Sequence, residues 1–162
     1  LYIIIALLQT EIILALLVAL RYLARDPNYG ILTAAAGLPL VRYDRRRRDL
    51  ILLDIDNFKA HNTAHGHTAA DDHMRSVWIA FRMTDGIIVV KRGGDELVLS
   101  CPSGSANHVL DIAAARLAAV GLTATACVQP GGRCLDTMLV AAERRILDSK
   151  ARNEKNTVLY LT

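Results

Sequence analysis

Residues 49–56 read DLILLDID and residues 86–101 read GIIVVKRGGDELVLSC, and these two stretches decide how the chain is organised. In the first, Leu50 to Leu53 form an unbroken apolar run, the pattern of a strand buried on both faces. Carboxylates at Asp54 and Asp56 close it. In the second, two apolar runs flank Gly93 and Gly94, which predicts a β-hairpin because glycine supplies the positive φ angles that tight hairpin turns need. Asp95 and Glu96 sit at its turn.

Working outward, Ala70, Met74, Val77, Trp78 and Phe81 recur at helical spacing between Thr68 and Met83, with Asp71, Asp72 and Arg75 between them. This is an amphipathic helix with Met74 and Trp78 in the core. Leu110, Ala113, Ala114, Leu117 and Val120 describe a second packed helix, ended by Gly121, and LTATACV (122–128) reads as a strand. Leu135, Leu139, Ala142 and Ile146 mark a third helix, and TVLYL (157–161) is a last short strand. The order strand, helix, hairpin, helix, strand, helix, strand predicts an α+β sheet with helices on one face rather than a doubly wound parallel sheet.

Of the 162 residues, 52% are hydrophobic, enough for one compact domain plus an appendage. The appendage is residues 1–24, apolar on all sides apart from Gln9, Thr10 and Glu11. Such a segment suits a membrane span or a helix buried by dimerisation, and both readings stand. If it spans, Arg21 and Arg25 place the remainder in the cytoplasm, attached to the inner membrane. The turn-rich Asp26-Pro27-Asn28-Tyr29-Gly30 sets the boundary, so a second unit runs from 25 to 162. Much of the formal charge of +3 comes from Arg45, Arg46, Arg47 and Arg48, a run best read as a solvated turn before a strand. Aromatic residues make up only 5% and no stacking stripe accompanies that run, so nucleic acid is not an expected partner. Three cysteines, Cys101, Cys127 and Cys134, lack metal-type pairing and suit a reducing compartment.

If the strand of 49–56 and the hairpin are neighbours, Asp54 and Asp56 converge with Asp95 and Glu96. Carboxylates gathered at strand ends repel unless a hard cation sits between them, and Mg²⁺ prefers one or two carboxylates plus substrate phosphate oxygens. A phosphoryl-transfer site follows as the expectation. His61, His65, His67 and His73 fall within thirteen positions, but their spacing matches none of the usual structural zinc patterns, so no zinc site is predicted.

LLDIDNFKAHNTAHGHTAAD (52–71), KRGGDELVL (91–99) and the tail DSKARNEKNTV together resemble the GGDEF family of diguanylate cyclases, in order and close to its spacing. The resemblance implies a ferredoxin-like palm with a central, mainly antiparallel sheet flanked by helices. It also implies a bacterial signalling activity, the Mg²⁺-dependent (or Mn²⁺-dependent) condensation of two GTP into cyclic di-GMP across a homodimer. Carried over by position, Asp54, Asp95 and the carbonyl of Ile55 are the metal ligands, and Glu96 assists the attacking 3′-hydroxyl. Gly93 and Gly94 let the backbone approach the nucleotide. Asn62 and Asp71 read guanine, Phe58 and Lys59 lie on a loop around the β- and γ-phosphates, and Lys150 with Lys155 are the basic residues near the last strand. Arg82 and Asp85 have the Arg-x-x-Asp form of the family's product-inhibition site, and an ion pair at a helix end is the alternative reading. The pattern departs from the family at Leu97, where the signature ends in an aromatic, at Thr63 and at Ala70. The alternative to an active cyclase is a degenerate module that binds GTP or cyclic di-GMP and regulates a partner without turnover.

Overall fold

A computed structural model describes residues 2–43, 48–131 and 134–161. Helix α1 (Tyr2–Leu23) leads into a short strand β1 (Leu32–Thr33) and helix α2 (Ala34–Tyr43). Strand β2 (Arg48–Ile55), helices α3 (Phe58–His65) and α4 (His67–Arg82), and the hairpin of β3 (Ile88–Lys91) and β4 (Glu96–Pro102) follow. Helix α5 (Ala106–Ala118), strand β5 (Ala124–Gln129), helix α6 (Leu135–Ala151) and strand β6 (Val158–Tyr160) complete the chain. The sheet runs β1-β3-β4-β2-β5-β6, antiparallel through its centre and parallel only where β1 joins β3 and β6 joins β5.

Strand β2 lies in the middle, which is why its apolar run is continuous. Ile51, Leu53 and Ile55 face one layer, where they meet Met74, Val77, Trp78 and Phe81 of α4 and Val109, Ala113 and Leu117 of α5. Leu50 and Leu52 face the other, against Val41 of α2 and Leu135, Met138, Leu139, Ala142 and Ile146 of α6. Helices therefore cover both faces of the sheet, not one as predicted. A strand apolar on both sides needs cover on both, and α2, for which the sequence pattern gave no helix, helps supply it. Gly37 lets α2 close on β3, since a Cβ there would lie 2.4 Å from a methyl of Val90.

The arginine run also reads differently in three dimensions. Arg48 is not solvated: it opens β2 and is buried, with Nε donating to Ser100 Oγ at 2.7 Å and Nη2 to the Ser100 carbonyl at 2.7 Å and to the Gly86 carbonyl. Arg45, Arg46 and Arg47 lie outside the described residues. Among its described side chains helix α1 buries none: Ile5–Leu23 is a 19-residue apolar stretch of mean hydropathy 1.8, long enough to cross a membrane, with its large side chains exposed.

Candidate active site

The site begins with strand register. Asp54 sits directly opposite Glu96 of β4 and, on its other side, opposite Thr125 of β5. The Ile55 amide donates to the Asp95 carbonyl at 3.0 Å, which ties the hairpin tip to the end of β2. The amides of Arg92 and Gly93 both donate to the Glu96 carbonyl, at 3.0 and 3.2 Å. The connection is thus an open loop of Arg92 to Asp95 rather than a tight two-residue turn. Gly93 and Gly94 do not take the positive φ predicted for them. Around Gly94 there is open space, with no atom within 4 Å of where a Cβ would stand.

Three carboxylates at one sheet end set the electrostatics. Burial raises the Asp54 carboxyl above the ordinary range and the charges of Asp95 and Asp56 add to this, against the opposing effect of Lys150, whose ammonium bonds Asp54 directly. Glu96 is raised likewise, by burial first and then by Asp54, Asp95 and Glu143, with Arg92 opposing. Arg92 pairs with Glu96 at 3.0 Å and also with Glu143 of α6. Because folding raises the Glu96 pKa, its ionised form costs stability above the folded pKa, and that cost fades as pH falls and the group protonates. Glu96→Gln should therefore melt no lower than the unmodified chain at neutral pH, with the difference shrinking under acid. Thermal melts in chelator from pH 8 to pH 5 check this.

Asp56, one residue past the end of β2, lies 3.5 Å from the same Lys150 ammonium but is otherwise differently engaged. It is 2% exposed and accepts from Thr123 Oγ1 and Thr125 Oγ1, each at 2.9 Å, and from the Asn156 amide at 3.0 Å. Its oxygens are spent on joining β2, β5 and the approach to β6.

Past Asp56 the chain turns through Asn57, at φ 56°, straight into α3. Phe58 and Lys59, expected on a loop, form the first turn of this helix, with Phe58 packed in the core and Lys59 exposed. Lys155 reaches the same corner, its Nζ donating to Asn57 Oδ1 at 2.9 Å. Asn62 lies on α3, and Asp71 lies on α4 beyond Gly66, whose φ of 80° lets the two helices meet. Tyr29, which sequence reasoning passed over as a turn residue, is buried and donates its hydroxyl to Asp71. Lys91 Nζ stands 4.3 Å above the Tyr29 ring and pairs with Asp26 at 2.9 Å. Nothing local signals the Tyr29 contact, because the partners are 42 positions apart.

With this geometry in view, comparison of the chain with protein-family models finds a match over residues 34–130 to the family described as diguanylate cyclase, GGDEF domain. The chain belongs to the GGDEF family. Solved GGDEF structures share its fold. The diguanylate cyclase SiaD of Pseudomonas aeruginosa, crystallised with its activator SiaC, superposes with a TM-score of 0.74 at 23% identity, over 97% of this chain and 69% of that one. The coiled coil and GGDEF domain of DgcB from Caulobacter crescentus, in complex with c-di-GMP, gives 0.71 at 16% identity over 99% and 97%. The DgcB GGDEF domain alone gives 0.61 at 18% identity over 85% and 92%. Comparison with curated protein sequences returned no match.

Within the GGDEF fold the predicted residues divide into groups. Asp54, Ile55, Asp95, Glu96 and Lys150 gather at one sheet end, with Gly93 and Gly94 on the adjoining loop and Phe58, Lys59 and Lys155 at the neighbouring start of α3. Asn62 and Asp71 sit further along the α3 and α4 pair. Arg82 and Asp85 stand at the far end of α4, both exposed, and among the described residues they form no ion pair with each other, contrary to the alternative reading of that motif. Arg82 instead turns toward the Gly30 carbonyl, at 3.5 Å. Among the described residues no three His, Cys, Asp or Glu side chains converge as a ready-made metal cage. The donor set at Asp54 and Asp95 consists of hard oxygens and matches what Mg²⁺ takes from a protein when phosphate oxygens supply the rest.

Proposed function

We propose that this GGDEF domain is a diguanylate cyclase that converts two GTP into cyclic di-GMP and two pyrophosphates. The observation that carries the reading is the register that sets Asp54 against Glu96, with Asp95 tied to Ile55 beside them. Asp54, Asp95 and the Ile55 carbonyl would hold Mg²⁺ or Mn²⁺, which supplies charge neutralisation at the phosphates. Each 3′-hydroxyl attacks the α-phosphate of the other nucleotide: an O–P bond forms, the bond to pyrophosphate breaks, and the hydroxyl proton leaves toward Glu96. The raised pKa of Glu96 makes it a better proton acceptor than an ordinary carboxylate. Lys59, Lys150, Lys155 and the first turn of α3 beside Phe58 offset charge on the leaving pyrophosphate. The open space at Gly94 gives the nucleotide close access to the backbone.

Asn62 and Asp71 read guanine, an amide and a carboxylate together matching its acceptor and donor edge. Tyr29 is then a positioning residue that aims Asp71. Asn62→Ala should raise the KM for GTP roughly tenfold, the loss of about one hydrogen bond, with a smaller effect on kcat. Steady-state rates across GTP concentrations check this; an unchanged KM removes Asn62 from the base site.

The reaction needs two domains face to face, and residues 1–24 are the segment that organises them apart from the catalytic unit at 25–162. Including its coiled coil raises the DgcB match from 85% to 99% of this chain, a gain about the length of α1. That supports a dimerising helix. The same helix is apolar and exposed enough to anchor the domain on the cytoplasmic side of a membrane, with Arg21 and Arg25 at its inner end. Incubation with GTP and Mg²⁺, with products identified by mass spectrometry over a range of protein concentrations, tests the function. Cyclic di-GMP with a steeper than linear dependence on protein supports a cyclase working as a dimer. Saturable GTP binding without product would move the domain to a regulatory role.

A further inference from the structure

The histidines dismissed on spacing come together in the fold. His61 and His65 are one turn apart on α3 and His73 faces them from α4, with ring centroids 4.4 Å apart for His61 and His65, 5.2 Å for His61 and His73, and 5.6 Å for His65 and His73. His61 Nε2 and His73 Nδ1 are 3.0 Å apart. Two imidazole nitrogens bound to one ion at about 2.1 Å stand about 3.0 Å apart in a right-angled arrangement and about 3.4 Å in a tetrahedral one. The pair therefore already has ligand spacing. Burial, then the neighbouring His65 and His73, depress the His61 pKa. Phe58 stacks on His61 from the core side, at 6.5 Å and 15°.

We propose that His61, His65 and His73 form a binding site for a divalent transition-metal ion such as Zn²⁺, which clamps α3 to α4. His61 and His73 supply two nitrogens as they stand. The exposed ring of His65 supplies the third by rotating, which is why no three such groups converge among the described residues before the ion arrives. Imidazole selects Zn²⁺, Ni²⁺, Co²⁺ or Cu²⁺ over Mg²⁺, so the site is chemically separate from the carboxylate centre and does not depend on the cyclase reading. Its three ligands bracket Asn62 and Asp71 in sequence, so occupancy would stiffen the helix pair that carries both.

The test uses the full chain carrying Cys134→Ser, which removes the exposed thiol as a competing ligand, titrated with Zn²⁺ against a chromophoric chelator in millimolar Mg²⁺. One Zn²⁺ per chain and a rise in Tm on binding are expected. Losing even a residue that orients a ligand costs about 10–100-fold in metal affinity, so His73→Gln and His65→Gln should each weaken binding at least tenfold and reduce the Tm rise. His67→Gln and His108→Gln should leave both unchanged. His65 is exposed, so its variant remains informative if one at buried His61 fails to fold. The proposal is overturned by no uptake at micromolar Zn²⁺, by uptake that Mg²⁺ displaces, or by affinity unchanged in the His65 and His73 variants, which would leave the pair as a hydrogen bond only.

Discussion

Asp54→Asn is expected to lower cyclic di-GMP synthesis by about 10²–10³-fold or more, the cost of removing one preorganised charge from a phosphoryl-transfer centre. The melting temperature should hold level or rise. Both halves follow from the position of Asp54 on β2, between Glu96 and Thr125. Its carboxyl is held above the ordinary range by burial and by the charges of Asp95 and Asp56, so the ionised form is disfavoured in the folded chain. That cost exists above the folded pKa and disappears as pH falls below it. Asn keeps an oxygen for Lys150 and removes the repulsion. Pyrophosphate release gives the rate, and a thermal melt in chelator gives the stability. A variant that loses rate and stability together would make Asp54 a structural acid, and one that keeps its rate would remove it from the metal site.

Which parts of the site were readable depends on how local each signal is. The run DLILLDID showed a strand buried on both faces, and the pairing of 86–101 showed a hairpin, because apolar periodicity is local. Local signals also located α4, α5 and α6. They missed the cover supplied by α2, where Pro39 and a short apolar pattern conceal the helix, and they misread Gly93 and Gly94, whose role follows from loop shape rather than residue type. Asp54 and Asp56 look equivalent in sequence, two positions apart on one strand. Lys150 reaches both; what separates them is that Asp54 stands opposite Glu96 across the sheet while Asp56 is held by two threonine hydroxyls. The same limit hid Tyr29 behind Asp71 and set the histidines of two helices against each other. The match over residues 34–130 fixes the family, while each of these roles rests on contacts made over long sequence distances.

Asp56→Ala is the complementary substitution, with the opposite expected pattern. It should cost about 3–5 kcal/mol of stability, the range for stripping one partner from a buried charged network. For a chain of this size each kcal/mol moves Tm by about 2–4 °C, so a fall of roughly 10 °C is the expected observation. The physical loss is specific: Thr123 Oγ1, Thr125 Oγ1 and the Asn156 amide would all lose one buried acceptor, and Lys150, 3.5 Å away, would lose its second carboxylate. Asn156 holds a left-handed φ of 56° at this point, so the loop into β6 and the Lys155 contact with Asn57 should loosen with it. Asp56→Asn keeps one acceptor oxygen and should fall between the alanine variant and the unmodified chain. Below its own melting temperature, the fraction of Asp56→Ala that remains folded should still turn over GTP, more slowly by a few-fold through the displaced lysines rather than by the factor expected at Asp54. If Asp56→Ala instead melts normally and loses all activity, the reacting acid is Asp56, and the pairing of Asp54 with Lys150 is the structural contact.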